Sequence, residues 1–271
     1  MGWVNKGSGL LLLSSLLNFA QENPGAREVA LAHSDISDNG SPFSLFNNPA
    51  CLSLAHSGEI AAYYSPAPFG IKELSNTFAA CCEPTKFGNL SAGFSSYGFE
   101  LYRETQIALG FGEKISNSLC AGLTTRYKNI SIRNYGSTGV FLIDLGLQAK
   151  INKQFSLGFV IQNAARTTIN NEADQIPVVL WAGTDIKILK ELIFCIAFQK
   201  ELGFDPSLRL GTEYYPLEFL HIRFGVSNNP EKYAAGIGIV YQSVNFDYAV
   251  SSHPDLGLTH QFSLMFSFFA N

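Results

Sequence analysis

Residues 140–162 read VFLIDLGLQAKINKQFSLGFVIQ, and their alternation decides the fold. Phe141, Ile143, Leu145, Leu147 and Ala149 alternate with Leu142, Asp144, Gly146, Gln148 and Lys150, the period of two expected of a strand with unlike faces. A polar turn at Asn152, Lys153 and Gln154 follows. Phe155, Leu157, Phe159 and Ile161 then alternate with Ser156, Gly158, Val160 and Gln162, so the second strand repeats both faces of the first. In a soluble sandwich the polar face would look out to solvent. In a membrane barrel it looks inward and the apolar face meets lipid.

Composition favours the barrel. The chain has 271 residues, of which 15% are charged, against about 25% in ordinary soluble domains. Its 22 Phe, 11 Tyr and 24 Gly supply aromatic residues for lipid and interface and small ones for crowded inner surfaces. A formal net charge of -4 offers no clustered basic face for nucleic acid. Cys51, Cys81, Cys82, Cys120 and Cys195 are odd in number and lack CxxC spacing, which points to neither a disulfide framework nor a zinc site. Cys81 and Cys82, adjacent in a strand, should face opposite ways as packing residues.

The first segment reads as a signal peptide over residues 1–20: Lys6, an apolar run at 10–17, then Asn18-Phe19-Ala20 before Gln21. Its competing reading is a buried N-terminal helix, since it is short for a membrane span. Residues 21–54 are rich in Asp, Asn, Ser, Pro and Gly without clear periodicity, and read as loop or plug. Residues 55–271 read as the barrel, so the fold class is all-β: a transmembrane antiparallel up-and-down barrel with an N-terminal plug on the periplasmic side or in the lumen.

Within the plug segment, Gly25-Ala26-Arg27, Ala30-Leu31-Ala32, Asp38-Asn39 and Asn48-Pro49-Ala50-Cys51-Leu52 resemble the opening of outer-membrane barrels of the PorV/PorQ family, related to the FadL fatty-acid transporters. Cys51 stands where that motif usually has glycine, and His33 where another glycine is common. The resemblance implies a plug motif of Gly25, Arg27, Asp38, Asn48, Pro49 and Ala50. It also implies a role in secretion or surface attachment of type IX kind, with secretion-system proteins as partners.

Beyond residue 55, strands are expected at 59–65, 75–82, 89–98, 103–113, 119–131, 139–150, 155–163, 177–187, 192–200, 207–215, 220–226, 232–241, 244–251 and 258–268. That makes about fourteen, an even number as single-chain bacterial barrels have. Every second link is short, near 85–88, 116–118, 151–154, 188–191, 216–219 and 242–243, whereas 66–74, 164–176 and 252–257 are long. Short periplasmic turns and longer outer loops would produce that alternation and put both termini in the periplasm of a Gram-negative outer membrane. The last strand sends Phe262, Leu264, Phe266 and Phe268 outward, which looks like the closing strand of such barrels, although Ala270-Asn271 follow Phe269.

Pointing the large apolar residues outward leaves Gly93, Gly110, Gly122, Gly146, Gly158, Gly183, Gly211, Gly225 and Gly238 inside, as a narrow lumen requires. The same face carries Glu104, Arg126, Lys128, Asp144, Asp185, Arg209, Glu213, Arg223 and Asp247, charges of both signs. They read as ion pairs and plug contacts, with a substrate path as the alternative. Phe69, Ile71, Leu74, Phe99, Leu101 and Phe204, in outer loops, form the candidate mouth for a hydrophobic ligand.

His33, His56, His221, His253 and His260 are scattered, with no HExxH or GxSxG, so no catalytic residue, metal or cofactor is expected and the chain reads as non-enzymatic. His221 reads as a structural group near Glu213 or Arg223. The leading functional expectation is a PorV/PorQ-type accessory of secretion. Its alternatives are a FadL-like channel for hydrophobic molecules such as long-chain fatty acids, and a plugged structural or adhesion barrel. Outer-membrane lipid is the partner common to all three.

Overall fold

The computed structural model describes residues 23–37, 40–169 and 176–268. The proposed signal peptide at 1–20, Asp38-Asn39 of the plug motif and the chain end at Phe269 lie outside the described residues.

Fourteen antiparallel strands close into one barrel. They are β1 (Gly58–Ser65), β2 (Asn76–Thr85), β3 (Gly88–Gly98), β4 (Tyr102–Lys114), β5 (Leu119–Ile132), β6 (Gly136–Lys150), β7 (Phe155–Gln162), β8 (Val179–Leu189), β9 (Leu192–Glu201), β10 (Ser207–Leu217), β11 (Leu220–Asn228), β12 (Glu231–Tyr241), β13 (Val244–His253) and β14 (Gly257–Phe268). Each pairs with its sequence neighbours, and β1 closes on β14 with Ala61 opposite Met265. Closure removes the unpaired edges of an open sheet. No helix among the described residues is long and apolar enough to cross a membrane, so any crossing would be made by strands.

The hairpin at 140–162 has the expected geometry. Leu147 pairs with Phe159 and Ala149 with Leu157 on the outer face. Phe141 is 70% exposed while its neighbours Val140 and Leu142 are buried. Asn152 sets the turn, its Oδ1 accepting from the amides of Gln154 at 2.7 Å and Phe155 at 2.9 Å. Cys81 is exposed and Cys82 buried, opposite faces of β2. On β14 the same rule exposes Phe262, Leu264, Phe266 and Phe268 and buries Gln261 and Ser263.

Residues 23–37 and 40–54 lie inside the barrel. They form one short helix, α1 (Ala26–Ala30), and two 3₁₀ turns, Pro42–Leu45 and Pro49–Leu54. Prolines open both turns, where a missing N–H costs nothing, and Asn48 caps the second by accepting from the Ala50 amide. The lumen wall changes character to suit this segment. Against Phe43, Leu45, Phe46 and Leu52 the wall offers Ala61, Tyr63, Phe78, Ala80 and Ala108, with ring centroids 5.1 Å apart for Phe46 and Phe78. Where the backbone itself approaches, the wall has glycine. A Cβ on Gly122 would sit 2.2 Å from the Pro49 carbonyl carbon, and one on Gly225 2.5 Å from the Ala32 amide nitrogen. Gly183 and Gly238, in contrast, face other wall residues.

Candidate functional site

The end of the barrel where β1 begins and β14 finishes is called the near end, and the opposite one the far end. Above the inner segment, toward the far end, lies a cavity of about 420 Å³. Its floor is Phe46 and His33, its wall includes Phe78, Leu142, Val179 and Trp181, and its rim comprises Ile176, Pro177, Phe204 and Pro230. Phe46, Phe78 and Trp181 reach it because β2, β8 and the first 3₁₀ turn direct those side chains inward.

Charged side chains also face this space: Arg126, Lys128 and Arg209 are each held by neighbouring groups, while Glu201 and Asp205 line it as well, the Glu201 Oε1 buried without a hydrogen-bond partner. Arg126 pairs with Asp144 at 2.7 Å and also donates toward Gln106. Lys128 pairs with Glu104 at 2.6 Å, and the Tyr102 hydroxyl donates to the same carboxylate. Arg209 donates to Gln199 at 2.6 Å and to the Ala32 carbonyl at 2.9 Å, with its guanidinium 5.0 Å from the Trp181 ring centroid. Such pairing offsets the desolvation of buried charge.

A second charged group lies around α1. Arg27 bridges Asp35 at 2.6 Å and Glu213 at 2.8 Å. Glu213 is also held by Arg223, which reaches Asp247 and lies 3.1 Å from Nδ1 of His221. Asp185 accepts from the Ser37 amide and hydroxyl. All nine inward charges inferred from the sequence are thus in contact with wall or inner segment, and Arg27, Asn48 and Pro49 of the plug motif all meet inner surfaces. Asn48 donates to the carbonyls of Ile36 and Leu147, and Gly25 turns the chain at φ +114° beside Glu28.

Of the six residues expected at a hydrophobic mouth, Phe204 lines the cavity. Phe69, Ile71 and Leu74 stand in the β1–β2 loop, where the Phe69 amide donates to Thr259 and its ring meets His253. Phe99 and Leu101 occupy the β3–β4 loop. The structure does not bring these five to the cavity. Sequence reasoning instead missed Phe46, Phe78 and Trp181. Trp181 was legible as an inward position of β8, but Phe46 belongs to a segment without periodicity.

No family model and no curated protein matches the sequence. Solved structures do. The barrel shares its fold with solved toluene transporters and a FadL homologue. The toluene transporter TodX of Pseudomonas putida superposes with a TM-score of 0.71 at 12% identity, over 92% of this chain and 100% of that one. The toluene transporter TbuX of Ralstonia pickettii gives 0.69 at 10% identity, over 93% and 100%. A FadL homologue of Pseudomonas aeruginosa gives 0.63 at 11% identity, over 92% and 99%. None of these comparisons supports the PorV/PorQ assignment or a secretion role; at these identities the shared barrel is what the likeness carries.

Proposed function

We propose that this protein is a non-enzymatic outer-membrane channel for hydrophobic small molecules, received in the far-end cavity, with both termini in the periplasm. The observation that carries it is the coincidence of a FadL-like barrel with a cavity that presents Phe46, Phe78, Trp181 and Phe204 and in which Arg126 and Lys128 are already paired with Asp144 and Glu104. A neutral, largely apolar ligand loses little water on entering such a space, whereas a free ion would have to break existing pairs. In this reading residues 23–54 act as a plug separating the cavity from the near end. The toluene transporters among the structural neighbours make small aromatic hydrocarbons the first ligands to try.

Trp181 supplies the probe. Titrating toluene or naphthalene into the purified protein should change Trp181 fluorescence saturably, and Trp181→Phe should abolish the signal. Uptake of the same compound into vesicles with a lipopolysaccharide outer leaflet should exceed that of protein-free vesicles. Absence of both saturable binding and protein-dependent uptake would dismiss this function.

A further inference from the structure

The outer wall carries a groove of about 520 Å³ across β5–β9. Ala149, Ala182 and Thr184 form its low points between ridges of Leu147, Leu157 and Phe159. The register explains the hollow: Ala182 faces Phe159 and Thr184 faces Leu157 across β7–β8, so small residues stand beside large ones on the outward face.

The groove ends at three near-end turns that are neighbours in the barrel. Their sequences are EKISNS at 113–118, KINKQ at 150–154 and KILKE at 187–191, five lysines against two glutamates. Lys114, Lys150, Lys153 and Lys190 are exposed. Beside them Ile115, Ile151, Ile188 and Leu189 expose between 53% and 61% of their surface. The far-end loops of the same sector show no such excess: residues 133–135, 163–178 and 202–206 together hold two arginines against two aspartates and one glutamate. Lysine next to an exposed aliphatic side chain suits the boundary between acyl chains and anionic head groups, where the stem lies in oil and the ammonium reaches phosphate.

From the groove and the lysine turns together we infer that this sector binds one anionic glycerophospholipid of the surrounding bilayer, an acyl chain lying in the groove and the phosphate held by Lys153 and Lys190. The inference rests on the wall facing lipid, as the proposed membrane location has it, and is independent of what the lumen carries.

Native mass spectrometry of the full chain in neutral detergent, with added phosphatidylglycerol or phosphatidylcholine of matched chains, tests it. One phosphatidylglycerol should be retained in preference to phosphatidylcholine. Lys153→Gln with Lys190→Gln should weaken that retention about thirtyfold, taking about 1 kcal/mol for each lysine near anionic lipid. Filling the groove by Ala182→Leu with Thr184→Leu should weaken both lipids alike. Thermal unfolding on gels establishes that each variant is folded, and Lys72→Gln with Arg133→Gln at the far end controls for general charge loss. Equal retention of the two lipids, unchanged retention in the groove variant, or a dimer that forms only while the groove is open would each overturn the inference. Should the chain dissolve as a monomer without detergent, the membrane location fails instead, and aromatic-ligand binding by Trp181 reports separately on the cavity.

Discussion

Replacing Arg27 by alanine should loosen the inner segment from the wall. Its Nη1 donates to Asp35 at 2.6 Å, its Nη2 to Glu213 at 2.8 Å and its Nε to the other Glu213 oxygen at 3.2 Å, so one side chain fastens α1 to β10. Both carboxylates are almost wholly buried, while Arg27 keeps one-fifth of its side chain exposed. Removing one partner of a buried pair costs about 3–5 kcal/mol. The low end applies here, because Glu213 retains Arg223 at 2.5 Å. About 3 kcal/mol raises the population of displaced segment by roughly a hundredfold, at 1.4 kcal/mol per factor of ten. Arg27→Lys should fall between, keeping the charge but losing the two-pronged fork. Urea unfolding of the purified protein in detergent reads the stability, and single-channel recording in planar bilayers reads displacement as more frequent or larger openings. An Arg27→Ala protein with the wild-type urea midpoint and wild-type conductance would refute the claim that this cation seats the segment.

Other consequences follow from the same packing. Gly122→Val places a Cβ 2.2 Å from the Pro49 carbonyl carbon and should destabilise by about 1–3 kcal/mol or shift the Pro49–Leu54 turn, measurable by thermal unfolding and by conductance. Asn48→Ala removes the cap on Ala50 and the donor to the Ile36 and Leu147 carbonyls, for a loss of about 1–3 kcal/mol in urea unfolding. Trp181→Ala removes an aromatic wall of the cavity and should weaken toluene binding about tenfold or more by calorimetry, while Phe99→Ala, in a loop away from the cavity, should leave it unchanged.

Strands could be read from the letters because each carries two chemically different faces. Phe141 to Ala149 on one side and Leu142 to Lys150 on the other leave no freedom of register: a slip by one residue would put Asp144 and Gln148 outside. All fourteen observed strands match expected spans within three residues at either end. The N-terminal segment was opaque for the opposite reason. Phe43, Leu45, Phe46 and Leu52 have no period, since each is placed by a pocket on the wall rather than by its own helix. Charged contacts stood between these cases. Asp144 and Arg126 were legible as inward, but their pairing depends on adjacent strands meeting, which a single sequence leaves unstated. His33 shows the limit of motif reading: it takes φ +56°, a conformation that favours the glycine usual there, yet the chain adopts it. Exposure in a loop says nothing about which loop covers the cavity: of the residues expected at a hydrophobic mouth, Phe204 lines it and Phe69 does not.

The central claim is that apolar side chains on alternate strand positions contact acyl chains while their neighbours face an enclosed interior. Nitroxide labels placed singly at residues 141–149 of the bilayer-reconstituted protein test it most directly, by comparing relaxation from oxygen, which concentrates in lipid, with relaxation from a water-soluble nickel chelate. Labels at 141, 143, 145 and 147 should respond to oxygen and be shielded from nickel, with the even positions between them shielded from lipid. High nickel accessibility at 143 and 145 would mean that this face meets water, contradicting the membrane assignment.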